Sequence, residues 1–553
     1  MSVEKLIVDH METWTSALQT RSTAGRGSSG KIDLYGIKKL RELILELAVR
    51  GKLVPQDPND EPASDLLKRI AAEKAELVKQ GKIKKQKPLP EISEEEKPFE
   101  LPEGWEWVHL PDIYCSISES SRKIKSSEIL PEGKYPVIEQ SQEFISGYCN
   151  NECLLIKLNN PVIVFGDHTR NIKFIDFDFV VGADDVKILS PILICERFFF
   201  WQLRSFKLDV RGYARHFKVL NSCLFALPPI AEQERIVEKV SSLMSLCDQL
   251  EQQSLTSLDA HQQLVETLLG TLTDSQNTAE LAENWARISE HFDTLFTTEA
   301  SVDALKQTIL QLAVMGKLVP QDPNDEPASE LLKRIAQEKA QLVKEGKIKK
   351  QKPLPPISDE EKPFELPEGW EWCRIGNIVN IKSELVSPKD YLNLYQVAPD
   401  IIEKGTGRVI SKRTVKESGV KGPNSRFYKG QIVYSKIRPS LSKVFLAEYN
   451  GLCSADMYPL DCYINPNYLL KYILSIPFLM QVKKAENRIK MPKLNSDSFY
   501  NIIVAIPPYN EQQAIFDKIN SIEAVCNGLI SYIGIYHKTQ LHLADALTDA
   551  AIN

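Results

Sequence analysis

The chain has 553 residues, 43% apolar and 26% charged, ordinary values for folded soluble protein that exclude wholesale disorder. Cores stop growing near ~250 to 300 residues, so at least two globular domains are expected. A net charge of −6 argues mildly against a nucleic-acid partner for the chain as a whole.

No window approaches the ~20 apolar residues of a membrane span, and Met1 to Gln19 lacks the charged start and apolar stretch of a secretion signal. No membrane contact and a cytoplasmic location are expected. Ten cysteines lie scattered, without the spacing of a zinc site or a disulfide scaffold. Cys149 and Cys153 come nearest to a metal pair, but no second pair joins them, so no metal site is expected.

Residues 1–35 form an N-terminal segment ending in a flexible joint, since Thr20 to Lys31 is rich in Ser, Gly and Arg. The first helical repeat, 36–98, opens with Ile37, Leu40, Leu43, Ile44, Leu47 and Ala48 on one helix face and Gly51 at the C-cap. A second helix is expected from Ser64, as N-cap, to Gly81. The lysines after it read as a solvated linker rather than a phosphate contact.

A mixed α/β domain is expected over 99–229, closed by the turn Leu227-Pro-Pro-Ile. A long helix follows over 230–275, with Ile236, Val240, Leu243, Cys247, Leu250, Leu264 and Leu268 on heptad positions a and d. Ser254, Ser257 and His261 interrupt that seam, His261 as a spacer rather than a ligand. About 40 helical residues make a rod of roughly 60 Å.

Residues 276–363 bring a linker and a second helical repeat, 364–508 a second mixed domain, and 509–553 a second long helix. The repetition is overt: Gly51 to Trp107 recurs as Gly316 to Trp372, with substitutions only at Asp65, Ala72, Glu76, Gln80, Glu91 and Glu94. The second long helix keeps the seam with Ile515, Ile519, Ile522, Cys526, Leu529, Ile533, Tyr536, Leu543 and Leu547. Each seam needs an apolar partner, and the other copy is the simplest one. The domains between the copied segments share almost no text.

Catalytic motifs are missing. Ile506-Pro-Pro-Tyr509 lacks the polar first residue with which an adenine methyltransferase grips its base. Gly405-Thr-Gly407 has no third glycine, and Asp167-His168 and Asp184-Asp185 belong to no complete nucleophile, base and orienter set. Charge points elsewhere. Residues 373–506 hold 20 Lys and Arg against 10 Asp and Glu, while residues 108–227 hold 14 of each. Basic turn-rich stretches supply the expected DNA contacts. In the first domain these are Arg122, Lys123, Lys125, His168, Arg170, Asn171, Lys173, Tyr213, Arg215, His216 and Lys218. In the second they are Lys412, Arg413, Lys436, Arg438, Ser440, Lys443, Arg488, Lys490 and Lys493, on loops carried by strands such as Gln431 to Tyr434 and Val444 to Ala447.

The two-copy order, with Pro-Pro then Glu-Gln before each long helix, resembles the specificity subunit of type I restriction-modification systems. The loops Val164-Phe-Gly-Asp-His-Thr-Arg170, Arg211-Gly-Tyr-Ala-Arg-His216 and Tyr434-Ser-Lys-Ile-Arg-Pro439 look like text of its target recognition domains. The resemblance implies an α+β protein whose two mixed α/β target recognition domains are joined by two long antiparallel coiled-coil helices in a pseudo-two-fold internal repeat. It implies a non-catalytic chain that recognises double-stranded DNA, each domain reading one half of a bipartite site and the helices setting the gap. The implied partners are two methyltransferase subunits and restriction/translocase subunits, which would hold S-adenosylmethionine, ATP and Mg; this chain would hold no cofactor. The competing reading is a scaffold whose duplicated helices gather proteins without binding DNA.

Overall fold

The computed structural model describes residues 3–21, 31–117, 122–182, 186–208, 215–486 and 492–552. They form two compact units: Met1–Ser257 with Ile535–Asn553, and Leu258–Gly534. Each unit holds the same parts: two short helices, a packing helix, an arm helix, a recognition domain, the start of one long helix and the end of the other. The long helices span Ile230–Asp274 and Tyr509–Ile552.

The packing helices, Tyr35–Val49 and Glu299–Val314, bury the expected face, including Ile37, Leu40 and Ile44 in one copy and Val302, Leu305 and Ile309 in the other. Both end on a left-handed glycine, Gly51 (φ +65) and Gly316 (φ +72), and the next amide returns to Leu47 O and Leu312 O at 2.9 Å. A Cβ at either glycine would stand 2.4 Å from the Cγ of Pro102 or Pro367. Glycine is therefore required twice, by backbone and by space. Beyond it, Lys52 Nζ donates to Ile552 O (2.6 Å), and Lys317 Nζ donates to Thr273 O and Ser275 O (2.8 and 2.9 Å). Each lysine thus sits on the end of a long helix, where the macrodipole favours a cation.

The arm helices are Ala63–Lys79 and Ala328–Lys344. Pro62, not Ser64, holds the N-cap, and no side chain caps it. The first amide, Ala63 N, is instead satisfied by Gly104 O at 2.9 Å, and Ala328 N by Gly369 O at 2.8 Å. Lys82, Lys84, Lys85 and Lys87 are exposed on irregular chain. Lys74 and Lys339 differ from them. Their ammoniums donate to Pro111 O and to Gly376 O, and burial pushes Lys339 down to about 8.

Two short helices precede each packing helix: Val3–Asp9 and Met11–Ser16 in one unit, Thr278–Glu290 and Phe292–Leu295 in the other. His10 and His291 hold matching N-cap positions, and Trp14 and Leu295 are buried at matching places. The repeat therefore starts earlier than the copied text shows.

Each recognition domain is entered and left through a two-stranded doorway, Glu106–His109 with Leu224–Leu227, and Glu371–Arg374 with Ile503–Ile506. One sheet has the same topology in both domains. It orders Tyr114–Ile117, Val186–Pro191, Val162–Gly166, Ile172–Ile175 in the first, and Val379–Ile381, Met457–Cys462, Ile432–Ser435, Val444–Leu446 in the second, all antiparallel. The other sheet is rearranged. In the first domain Val180–Gly182 lies parallel to both Lys123–Ile124 and Tyr135–Ile138; in the second Gly451–Ser454 lies parallel to Tyr395–Val397 but antiparallel to Asn424–Phe427.

The copied motifs meet where each domain joins its long helix. Glu232 accepts from Trp105 Nε1 (2.9 Å) and Gln56 Nε2 (3.0 Å); Glu511 accepts from Trp370 Nε1 (2.9 Å) and Gln321 Nε2 (3.2 Å). Beside them Gln233 bridges Pro228 O and Cys195 N, and Gln512 bridges Pro507 O and Asn465 N. The Pro-Pro turn lies between the last doorway strand and the long helix, as its sequence suggests.

The long-helix seams differ from a strict heptad. Ile236, Val240, Leu243, Cys247 and Leu250 are buried as expected, but the stripe resumes at Val265, Leu269 and Leu272, while Leu264 is 51% exposed. In the second helix it passes Ile515, Ile519, Cys526 and Ile533, then moves to Ala544 and Thr548, leaving Tyr536 and Leu543 exposed. At 3.6 residues per turn, Val265, Leu269 and Leu272 average about 30° from the mean direction of the first five, and Leu264 and Leu268 average about 60° on the other side. Through the polar middle no knob holds the helix at 3.5 residues per turn, so the stripe follows the natural period. His261 Nε2 lies 3.0 Å from Leu295 O, consistent with a spacer.

The register is tested by truncation: Val265→Ala should cost about 2 kcal/mol and Leu264→Ala no more than about 0.5 kcal/mol in chemical denaturation. Glu511→Ala should cost about 2 to 3 kcal/mol by stranding Trp370 Nε1, and Glu511→Gln clearly less. Burial raises the Glu511 pKa, opposed by its donors. A carboxyl with a raised folded pKa contributes fully at acid pH and loses that contribution as pH rises through the raised value. The Gln variant should therefore gain on the wild type as pH climbs above 4.5.

Candidate nucleic-acid interface

In the sheet that both domains share, strands Val162–Gly166 and Ile172–Ile175 form a hairpin, as do Ile432–Ser435 and Val444–Leu446. Each hairpin loop holds an arginine in the left-handed region, Arg170 at φ 61 and Arg438 at φ 46. Among the described residues only Leu193 and Ser442 share that state without being glycine. A side chain there costs about 1 to 2 kcal/mol, and such strain concentrates at functional sites. Pro439 restricts Arg438 further.

Local bonds impose the first strained turn. Arg170 N donates to Gly166 O (2.8 Å) and Gly166 N to Asn171 O (2.9 Å), while Thr169 Oγ1 and Asn171 Nδ2 both donate to Gln140 O (2.6 and 2.8 Å). Arg170 also donates from its guanidinium to Leu208 O at 2.8 Å. In the second hairpin Arg438 N donates to Pro492 O (2.9 Å), and Ser440 N to Glu486 Oε1 (3.0 Å). Arg438 itself is exposed.

Beside Arg170 lies a recess of about 590 Å³ lined by Gln142, Phe144, Thr169, Asn171, Arg204 and Lys207, among others, with no acidic side chain among the described lining residues. Arg122, Lys123, Lys125, Arg215 and Lys218 are exposed elsewhere on the first domain. Lys173 and His216 do not stand at the surface as expected, being 5% and 1% exposed. The Lys173 ammonium is spent on backbone carbonyls, and His216 meets Asp167 O through both its amide and Nδ1. Asp167 Oδ1 in turn accepts from Phe217 N at 2.8 Å, so this pair holds the chain in place.

In the second domain Lys412 lies over the Tyr395 and Tyr449 rings, 5.9 and 5.5 Å from their centroids, and remains exposed. Arg413 is engaged by Asp400 through two 3.1 Å bonds and by Gln396. Lys436 donates to Ala455 O, Lys443 to Pro399 O, and Lys493 pairs with Asp456 at 3.2 Å. Tyr213, Arg488 and Lys490, with Asp184 and Asp185, lie outside the described residues. Sequence reasoning missed Gln140, Gln142, Phe144, Arg204 and Lys207. Of these, Ser141-Gln-Glu-Phe144 carried a signal, a polar loop with one aromatic between two β-like runs.

The strain is measurable. Arg438→Gly should raise the unfolding free energy of its unit by about 1 kcal/mol, because glycine accepts positive φ without penalty. A lower stability would show that the guanidinium, not the backbone, governs this loop.

A family model, Type I restriction modification DNA specificity domain, matches residues 102–260 and 367–533. The chain is 51% identical to the EcoAI specificity subunit of a type I restriction enzyme from Escherichia coli, and 49% identical to the EcoEI subunit of the same organism, over 100% of both chains in each case. Among solved structures, the HsdS subunit from Thermoanaerobacter tengcongensis matches at 15% identity and a TM-score of 0.36, over 83% of this chain and 98% of that one. With both recognition domains and the full length so matched, the chain belongs to the specificity subunits of type I restriction-modification systems, the non-catalytic components that recognise DNA sequence.

Proposed function

We propose that each recognition domain reads one half of a bipartite, asymmetric DNA site. The two long helices set the gap and, with the copied arms, dock two methyltransferase subunits and through them the restriction subunits. The observation that carries this reading is the pairing of nearly identical arms with unlike domains. Like arms suit two like partners; unlike domains suit two different half-sites. The shared sheet with its arginine hairpin supplies a common platform, and the rearranged sheet supplies the difference.

Arg170 and Arg438 are the leading base readers, because guanidinium can bond guanine O6 and N7 in two-pronged fashion. Arg122, Lys123, Lys125, Arg215, Lys218 and Lys412 supply phosphate contacts from exposed positions. S-adenosylmethionine, ATP and Mg belong to the partner subunits, and the assembly works in the cytoplasm.

Mapping methylated adenines in cells that carry the complete system should reveal a split site with unlike halves. In the assembled complex, Arg170→Ala should relax discrimination in one half and Arg438→Ala in the other, each by about tenfold, since a good base contact is worth ~1 to 3 kcal/mol. Loss of discrimination in both halves from one variant, or a continuous site, would overturn the division of labour. Tight partner binding with no sequence preference would favour the scaffold reading.

A further inference from the structure

Lys173 comes three residues after the strained arginine, yet it turns inward. Its ammonium donates to Glu139 O (2.7 Å), to Glu143 O and to Phe144 O (3.4 Å). Those carbonyls belong to the loop between strands Tyr135–Ile138 and Gly147–Cys149, so the loop is wrapped around a buried cation. Gln140 in the same loop accepts from Thr169 and Asn171 on its carbonyl, and from His168 N on its side chain. The loop is thereby fastened to the arginine hairpin at two places.

The fastened loop turns Gln142 and Phe144 outward, Phe144 being 49% exposed, onto the recess that Arg170 also lines. The three carbonyls offset the cost of burying the ammonium, and the loop they hold leaves Phe144 half exposed beside the recess. Such an arrangement suits a loop kept ready for a partner surface. The second domain has a partial counterpart, a half-buried lysine with one carbonyl in place of three. Lys443 Nζ donates to Pro399 O, just past strand Tyr395–Val397, which lies parallel to Gly451–Ser454 as Tyr135–Ile138 lies parallel to Val180–Gly182.

We propose that Lys173 and Lys443 are positioning residues that do not touch DNA, each pinning a second reading loop beside its arginine hairpin. In the first domain Gln142 and Phe144 then meet base edges of the half-site, the amide suited to adenine N6 and N7 and the ring to a thymine methyl. This rests on the half-site reading above and adds the residues that carry it.

The test uses the full complex with its methyltransferase subunits, and DNA bearing the mapped site or single substitutions in either half, over a range of salt. Lys173→Met and the double variant Gln142→Ala/Phe144→Ala should each lose about tenfold discrimination in the first half and none in the second. Lys173→Met should leave the slope of log affinity against log salt unchanged, because no phosphate contact is lost. A slope shallower by about one contact, with discrimination intact, would make Lys173 a phosphate ligand and overturn the proposal. Unchanged discrimination in the double variant would overturn it too, and that variant decides the matter if Lys173→Met fails to fold, since its side chains are exposed. Arg170→Ala separates the two levels. If it also leaves the first half intact, the half-site reading fails; if it alone relaxes that half, only the loop assignment falls.

Discussion

Each unit depends on one buried carboxylate. Glu232 and Glu511 lie in the first turn of the long helices, 1% and 4% exposed, where an isolated charge would be costly to bury. The helix N-terminus favours the negative charge, and two donors from the arm, an indole and a carboxamide, complete it. The arm supplies Gln and Trp, the helix supplies Glu, and the neighbouring Gln ties the domain's own helix to the Pro-Pro turn. Three stretches far apart in sequence therefore stand or fall together, because removing any one strands a polar group in the core.

That dependence explains what was legible in the sequence. The packing helices, glycine caps and Pro-Pro turns could be read because they rest on local periodicity and backbone constraint. The seam beyond Leu250 and Ile533 could not, since the heptad reading carried a 3.5 period through a polar stretch that does not enforce it. Ser64 is not the cap because the helix begins one residue before it, at Ala63, whose amide is met by Gly104 O about forty residues onward. The short N-terminal helices escaped notice because their counterpart preserves the positions of His10 and Trp14 but little of the text around them.

For the candidate site, residue type was legible and environment was not. Arg170 and Arg438 are recognisable in sequence as donors in loops, but their strained backbone has no signature there beyond Pro439. Lys173 and His216 look like surface donors on paper, because lysine is almost never fully buried and histidine is only sometimes so. Their burial arises from carbonyls about thirty and fifty residues away, contacts that only the folded domain creates. The meeting of loops from two different sheets makes neighbours of Gln142 and Arg170, which no spacing rule would pair.

The doorway strands have a consequence for change over time. Leu227 lies opposite Glu106, and Ile506 opposite Glu371, so a domain of well over a hundred residues begins and ends within the width of one strand pair. Its interior can lengthen or be rewritten while the frame outside sees the same two chain ends at the same separation. The entropic cost of a longer closed loop grows only with the logarithm of its length. The chain is thus built so that what it reads can be replaced wholesale, and what assembles around it need not notice.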